Sequence, residues 1–160
     1  MKKNPDFELS SAHRYFSAEC FNRTWDYIDN PSRTPDDDQA MLLLSLTSLW
    51  HWTQRPDCTP GNLSVGYWQV SRVYVLLRQP EPARHFAQLC LKSSQGEGTL
   101  PFHLGYAYEA LARVEQISSN LIKMNEYLDL ARRACETIKD ADTRKQLLAD
   151  LETIEKSPGG

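Results

Sequence analysis

Three features of the 160-residue sequence predict an all-helical fold. Apolar residues recur three or four positions apart in successive segments, which puts them on one face of an α-helix. No segment alternates apolar and polar residues as a half-buried strand does. Proline, glycine and small polar residues punctuate the chain between the periodic segments. The expected architecture is about seven antiparallel helices, arranged as three helical hairpins and a C-terminal capping helix. Residues 1–10 read as a polar leader, 11–156 as a single helical domain and 157–160 as a disordered tail.

The first helix is expected over residues 11–29, with Tyr15, Ala18, Phe21, Trp25 and Ile28 forming an apolar stripe. Pro31 stops it, because proline lacks the amide that would continue the helical bonding. Thr34-Pro35-Asp36-Asp37-Asp38 is a start signal. Threonine can cap free amides, proline is preset for the first helical position, and aspartates complement the positive end of the helix dipole. The second helix runs to about residue 54 and is apolar nearly all round, through Met41, Leu42, Leu43, Leu44, Leu46, Leu49, Trp50 and Trp52. Such a helix is expected at the centre of a fold, covered on most sides.

Residues 56–61 form a break with two prolines and a glycine. A third helix over 62–78 and a fourth over 82–94 follow, with Pro80-Glu81-Pro82 as the corner between them. Residues 94–99 are a flexible connection; their glycines lack the preceding strand and the Gly-Lys-Ser/Thr ending of a phosphate loop. A fifth helix over 101–118 and a sixth over 120–139 lead to a seventh over 142–156. Leu147, Leu148, Leu151 and Ile154 give that last helix an apolar face suited to capping the stack.

Composition sets bounds on function. Charged residues at 24% and apolar residues at 41% are ordinary for a globular protein. A formal net charge of −3 and a pI near 5.8 argue against a broad nucleic-acid surface, which needs a basic face. No run approaches the roughly 18 apolar residues of a membrane span, and no apolar run follows the basic start in the manner of a secretory signal. A cytoplasmic protein is expected. Cys20, Cys58, Cys90 and Cys135 lie far apart without CxxC or Cys/His ligand spacing, so they read as thiols, not as zinc ligands or a disulfide framework. No metal site and no cofactor are expected.

Within residues 62–140, Leu104-Gly105-x-x-Tyr108 fits the first-helix signature of a tetratricopeptide repeat, and Val70-Ser71-x-x-Tyr74 fits it loosely. Ala83, Ala87, Cys90 and Leu91 suit a returning helix, with Met124, Leu128 and Ala131 as later counterparts. About half the chain thus resembles the tetratricopeptide-repeat (TPR) superfamily, with degenerate repeats. It departs from that pattern where Tyr67 and Pro101 stand at the early Trp position, where Met124 replaces a small alanine, and in a longer link between Tyr108 and Met124. The resemblance implies a short TPR-like superhelix with a concave face.

Counted in that register, the concave side should carry Trp68 and Arg72 from the third helix. The fifth should add Phe102, Tyr106 and Glu109, and the first Phe21 and Trp25 if Thr24 and Tyr27 are its degenerate equivalents. Trp, Tyr and Arg are the residue types that dominate binding hot spots, and a guanidinium can clamp a carboxylate in bidentate fashion. His51, between Trp50 and Trp52, reads either as a base or ligand donor near Gln54 or as a core histidine bonded to a neighbouring helix. None of His13, His51, His85 and His103 shows ligand spacing along a helix, and no nucleophile motif is present.

The candidate binding residues are therefore Trp25, His51, Trp68, Arg72, Phe102, Tyr106 and Glu109, with no catalytic set. The expected function is a non-catalytic scaffold that binds a peptide or partner protein, or a second copy of itself, through an aromatic groove. The alternatives are a small-molecule sensor in which His51, Arg72 and Glu109 converge on a closed aromatic pocket, and an enzyme using the same groups. In a short stack the groove could also be filled by the chain's own core.

Overall fold

The computed structural model describes residues 6–156, which form seven helices and no strand. The expected tail at 157–160 and the first five residues of the expected leader lie outside the described residues. The chain divides into two compact units, Met1–Cys58 and Thr59–Gly160.

The first unit contains α1 (Leu9–Ile28) packed on α2 (Pro35–Thr53). The predicted start of α2 is present in full. The Thr34 hydroxyl accepts from the Asp37 amide at 3.2 Å, and the Asp37 carboxylate accepts from the Thr34 amide at 2.8 Å. Such a cap contributes about 1 kcal/mol.

The face of α1 that is buried differs from the expected aromatic stripe. Ser17, Cys20 and Thr24 are buried, whereas Tyr15 and Ala18 are exposed. Small side chains permit close helix approach, close enough for the Ser48 hydroxyl on α2 to donate to the Ser17 carbonyl at 2.7 Å. Phe21, Trp25 and Ile28 of the expected stripe are only half-buried. Likewise α2 is not covered all round: Leu43 and Trp50 are 57% and 55% exposed. At the end of the unit, Arg55 lies 3.8 Å over the Trp52 ring and donates to Asp57 and to the Ser17 hydroxyl. That guanidinium holds the Asp57 carboxyl down at about 2.

The second unit contains α3 (Pro60–Leu76), α4 (Pro80–Ser94), α5 (Pro101–Ile117), α6 (Leu121–Glu136) and α7 (Ala141–Lys156). Two of these helices start two residues earlier than the sequence pattern suggests. Pro60 and Pro80 are first-turn residues of α3 and α4, not parts of a break or corner. Proline costs nothing there, because the first-turn amides have no intrahelical partner.

A repeat is visible in the helix ends. Pro60 and Pro101 open helices of equal length 41 positions apart, and α4 and α6 open at Pro80 and Leu121 with the same offset. Arg78 and Ser119, again 41 apart, both take a left-handed φ of 58°. After each, an amide reaches back to close the helix, Gln79 to the Tyr74 carbonyl at 3.0 Å and Asn120 to that of Glu115 at 2.9 Å. This is a Schellman closure, made without glycine at a cost of about 1–2 kcal/mol per joint.

The offset pairs Ser64, not Ser71, with Gly105. The expected register differs by seven residues, which is two helical turns. Such a shift leaves the apolar face unchanged and is invisible to periodicity.

In this unit the central helix is α5. It packs on α3, α4, α6 and α7, and every residue from Glu109 to Glu115 is buried. On one side Val75, Ala83, Ala87, Leu111 and Val114 form a core. On the other, Leu128, Ala131, Leu147, Leu151 and Ile154 do so with Ala112. Helix α7 thus covers α5 and α6 as a cap, although Leu148 points away and is 39% exposed. Gly105 makes the close approach possible, since a Cβ there would lie 2.5 Å from Leu147 Cδ2.

Candidate functional site

The first helices of the two repeats, α3 and α5, enclose a partly open cavity of about 240 Å³. Its lining is Ser64, Val65 and Trp68 from α3 with Phe102, His103 and Tyr106 from α5. Residues one turn apart on each helix face the same space, which follows from the helical repeat. Trp68 and Tyr106 meet edge to face with centroids 5.3 Å apart, and Phe102 stacks on His103 at 4.0 Å. These contacts are favoured geometries for ring quadrupoles and fix the walls of the cavity.

Beneath the rings lies a polar network that consumes its own charges. The Trp68 indole N–H donates to Glu109 at 2.8 Å, and Arg113, one turn further along α5, pairs with the same carboxylate. Glu109 and Arg113 are 1% and 7% exposed. Arg113 continues to α7, donating to the Asp150 carbonyl at 3.2 Å and to the Thr153 hydroxyl at 2.9 Å. The Tyr106 hydroxyl donates to the Asp150 carboxylate at 2.9 Å. Burial first, and then that carboxylate, push the Tyr106 phenol far above its ordinary range. It stays protonated and acts as a donor committed to Asp150.

Two groups on the wall are polar. Ser64 is buried, and its hydroxyl lies 3.5 Å from both the carbonyl and the sulfur of Cys90. Burial pushes the Cys90 thiol up to about 12, so it is not a nucleophile. His103 accepts the Leu100 amide on Nδ1 at 2.9 Å. A neutral ring that accepts on Nδ1 carries its proton on Nε2, and that nitrogen faces Gly61 on α3. Burial lowers the His103 pKa, opposed in part by the Leu100 carbonyl, which lies 3.2 Å from Nδ1.

The structure brings three of the sequence-predicted residues, Trp68, Phe102 and Tyr106, to one cavity. Glu109 lies under it, bonded to Trp68 and Arg113 instead of facing a ligand. Arg72 lines a separate narrow crevice with Ser71, Val75 and Arg113. Trp25 and His51 belong to the first unit and are not among the cavity residues. His51 bonds to His13 on α1, and the Gln54 amide instead donates to Thr53.

Ser64, Val65, His103 and Arg113 were not anticipated. The i,i+4 spacing of Glu109 and Arg113 was a readable signal, as was the position of His103 one turn before Tyr106. Ser64 and Val65 carry no such mark.

Among the described residues, no group of three or more His, Cys, Asp and Glu side chains could hold a metal ion. No helix there is long and apolar enough to cross a membrane. No family model matches the chain, and no curated protein or solved structure matches it either.

Proposed function

We propose that the chain is a non-catalytic, TPR-like scaffold whose α3–α5 cavity takes one large apolar side chain of a peptide or partner protein. The observation that carries this reading is an apolar, ring-walled cavity beneath which Glu109 and Arg113 neutralise each other and Tyr106 is committed to Asp150. Such a site offers contact area and shape more than charge.

Size favours a side chain over a free ligand. A volume of about 240 Å³ is below the roughly 300–1,000 Å³ of typical small-molecule sites. The small-molecule reading also loses a polar anchor, since Glu109 is occupied by Trp68 and Arg113. Chemistry is disfavoured because the Cys90 thiol and the Tyr106 phenol are both held protonated. Cytoplasmic residence belongs to the same reading and is supported by four cysteines that stand as free thiols.

Burying one aromatic side chain yields about 1.5–3 kcal/mol, short of the ~8 kcal/mol of a micromolar complex. The cavity is therefore an anchor, and flanking contacts must supply the rest. Side-chain analogues alone should bind more weakly than about 1 mM, the affinity that about 4 kcal/mol gives. Indole, p-cresol and toluene titrated against the labelled protein should shift amide resonances of Val65, Trp68, Phe102 and Tyr106. If all three leave those resonances in place at saturating concentration, the docking reading fails.

A further inference from the structure

Two imidazoles meet on the surface of the first unit. His13 on α1 and His51 on α2 stand 38 positions apart in sequence, yet their Nδ1 atoms are 2.8 Å apart and their ring centroids 5.0 Å apart. A hydrogen bond between two imidazole nitrogens needs one N–H and one lone pair. The pair is thus held with a single proton between the rings, and a second proton would set two donors face to face.

The rings are oriented by neighbours on both helices. Trp50 packs edge-on against His13 at 5.5 Å and against His51 at 4.9 Å, and Phe16 lies 5.4 Å from His51. His13 and His51 are half-buried and Trp50 and Phe16 beside them are exposed, so the pair is within reach of water and dissolved ions. The nearest charged side chain in sequence, Arg14, is turned to Asp57 at 3.8 Å.

From this arrangement we infer that His13 and His51 form a two-imidazole site for a divalent transition ion of the Zn²⁺, Ni²⁺ and Cu²⁺ class, with water filling the remaining positions. Neutral imidazole is a preferred ligand of these ions. With metal–nitrogen bonds of about 2.0–2.1 Å, two nitrogens on a tetrahedral ion lie roughly 3.3 Å apart. The observed 2.8 Å must open by about half an ångström, which side-chain rotation at an exposed pair can supply.

The protons balance without an external base. Each neutral ring carries one N–H, and the ring that holds it on Nδ1 moves it to Nε2, leaving two Nδ1 lone pairs for the ion. The two ligands come from different helices, so the ion also ties α1 to α2. This site lies in the first unit and does not depend on the docking function of the α3–α5 cavity.

The test is calorimetric titration of the untagged full chain with ZnCl₂ and NiCl₂ at pH 7.5. Quenching of tryptophan fluorescence by NiCl₂ serves as a second readout, because Trp50 touches both rings. Wild type should take up one ion per chain, and His13→Ala and His51→Ala should each weaken binding at least tenfold. His85→Ala, at an exposed histidine elsewhere, should bind as wild type does. His51→Gln keeps a polar side chain and shows whether any loss reflects unfolding, with circular dichroism read on every variant. Equal binding by wild type and His13→Ala, or no saturable binding by wild type, overturns the proposal.

Discussion

Trp68 and Glu109 hold the same position in the two 41-residue repeats and are bonded to each other, indole N–H to carboxylate, over 2.8 Å. The repeat therefore diverges at the point where its two copies meet. One copy contributes a ring to the cavity wall, and the other contributes the buried acceptor that orients that ring. The same carboxylate neutralises Arg113, which ties α5 to α7.

Removing that acceptor should cost more than removing the ring's donor. Glu109→Ala leaves the Arg113 guanidinium buried without its counter-charge, a change worth about 3–5 kcal/mol. Trp68→Phe leaves the ion pair intact and gives up one hydrogen bond and some area, about 1–3 kcal/mol. Urea denaturation of the two variants should rank them in that order. Equal losses would mean that the Glu109–Arg113 pair adds nothing beyond the indole contact.

Gly105 should be replaceable only where Leu147 yields. A Cβ at Gly105 would sit 2.5 Å from Leu147 Cδ2, with the Ala134 Cβ 3.7 Å away on the other side. Leu147 is fully buried, so its side chain has little room to move. Gly105→Ala should destabilise by about 1–3 kcal/mol through overpacking, and Gly105→Leu should prevent stable folding. Leu147→Ala alone should cost about 2–5 kcal/mol. In that background Gly105→Ala should turn neutral or favourable, because alanine exceeds glycine in helix propensity by about 1 kcal/mol. Additive losses in this double-mutant cycle would dissociate Gly105 from the α5–α7 contact.

Local signals in the sequence located the elements, and tertiary contacts supplied what those signals lacked. Thr34-Pro35 and Pro101 mark helix starts by a mechanism confined to a few residues, so they were readable, whereas Pro60 reads as part of a break beside Gly61. Pro80 was misread as a corner because Pro82 follows it and both fit one first turn. The α1 contact was misread because apolar size was taken as the mark of burial, while the helices meet through Ser17, Cys20 and Thr24. Trp68, Phe102 and Tyr106 were picked out as hot-spot residue types on helix faces, and those faces survive the seven-residue error in register. The His13–His51 contact arises from rings meeting across helices, which spacing along one helix does not encode.

Acid should loosen the start of α5. His103 sits in its first turn and accepts the Leu100 amide as a neutral ring, and its folded pKa lies below the ordinary 6.5. A group with a lowered folded pKa contributes stability that is complete above its ordinary value. That contribution is lost as pH falls through the folded value. An imidazolium there would also face the positive end of the helix dipole. His103→Gln keeps an acceptor able to reach the same amide and cannot become charged. The melting temperature of wild type should therefore fall relative to His103→Gln as pH drops from 7 to 5. Parallel curves over that interval would show that His103 does not titrate against folding.

Filling the cavity should separate docking from stability. Val65 lines the space from α3, one turn from Trp68 and opposite Phe102, so Val65→Phe puts a ring into a volume of about 240 Å³. Because that volume is empty, the added ring buries apolar area without displacing packed neighbours. It should leave the melting temperature unchanged or raise it, in contrast to the 1–3 kcal/mol cost of overpacking a filled core. The same variant should reduce the binding of indole and p-cresol at least tenfold, since its own ring takes their place. A variant that folds well and still binds the analogues as wild type does would put their site elsewhere on the molecule. A variant that fails to fold would show that the α3–α5 space closes on its own side chains, and the aromatic wall would then be core.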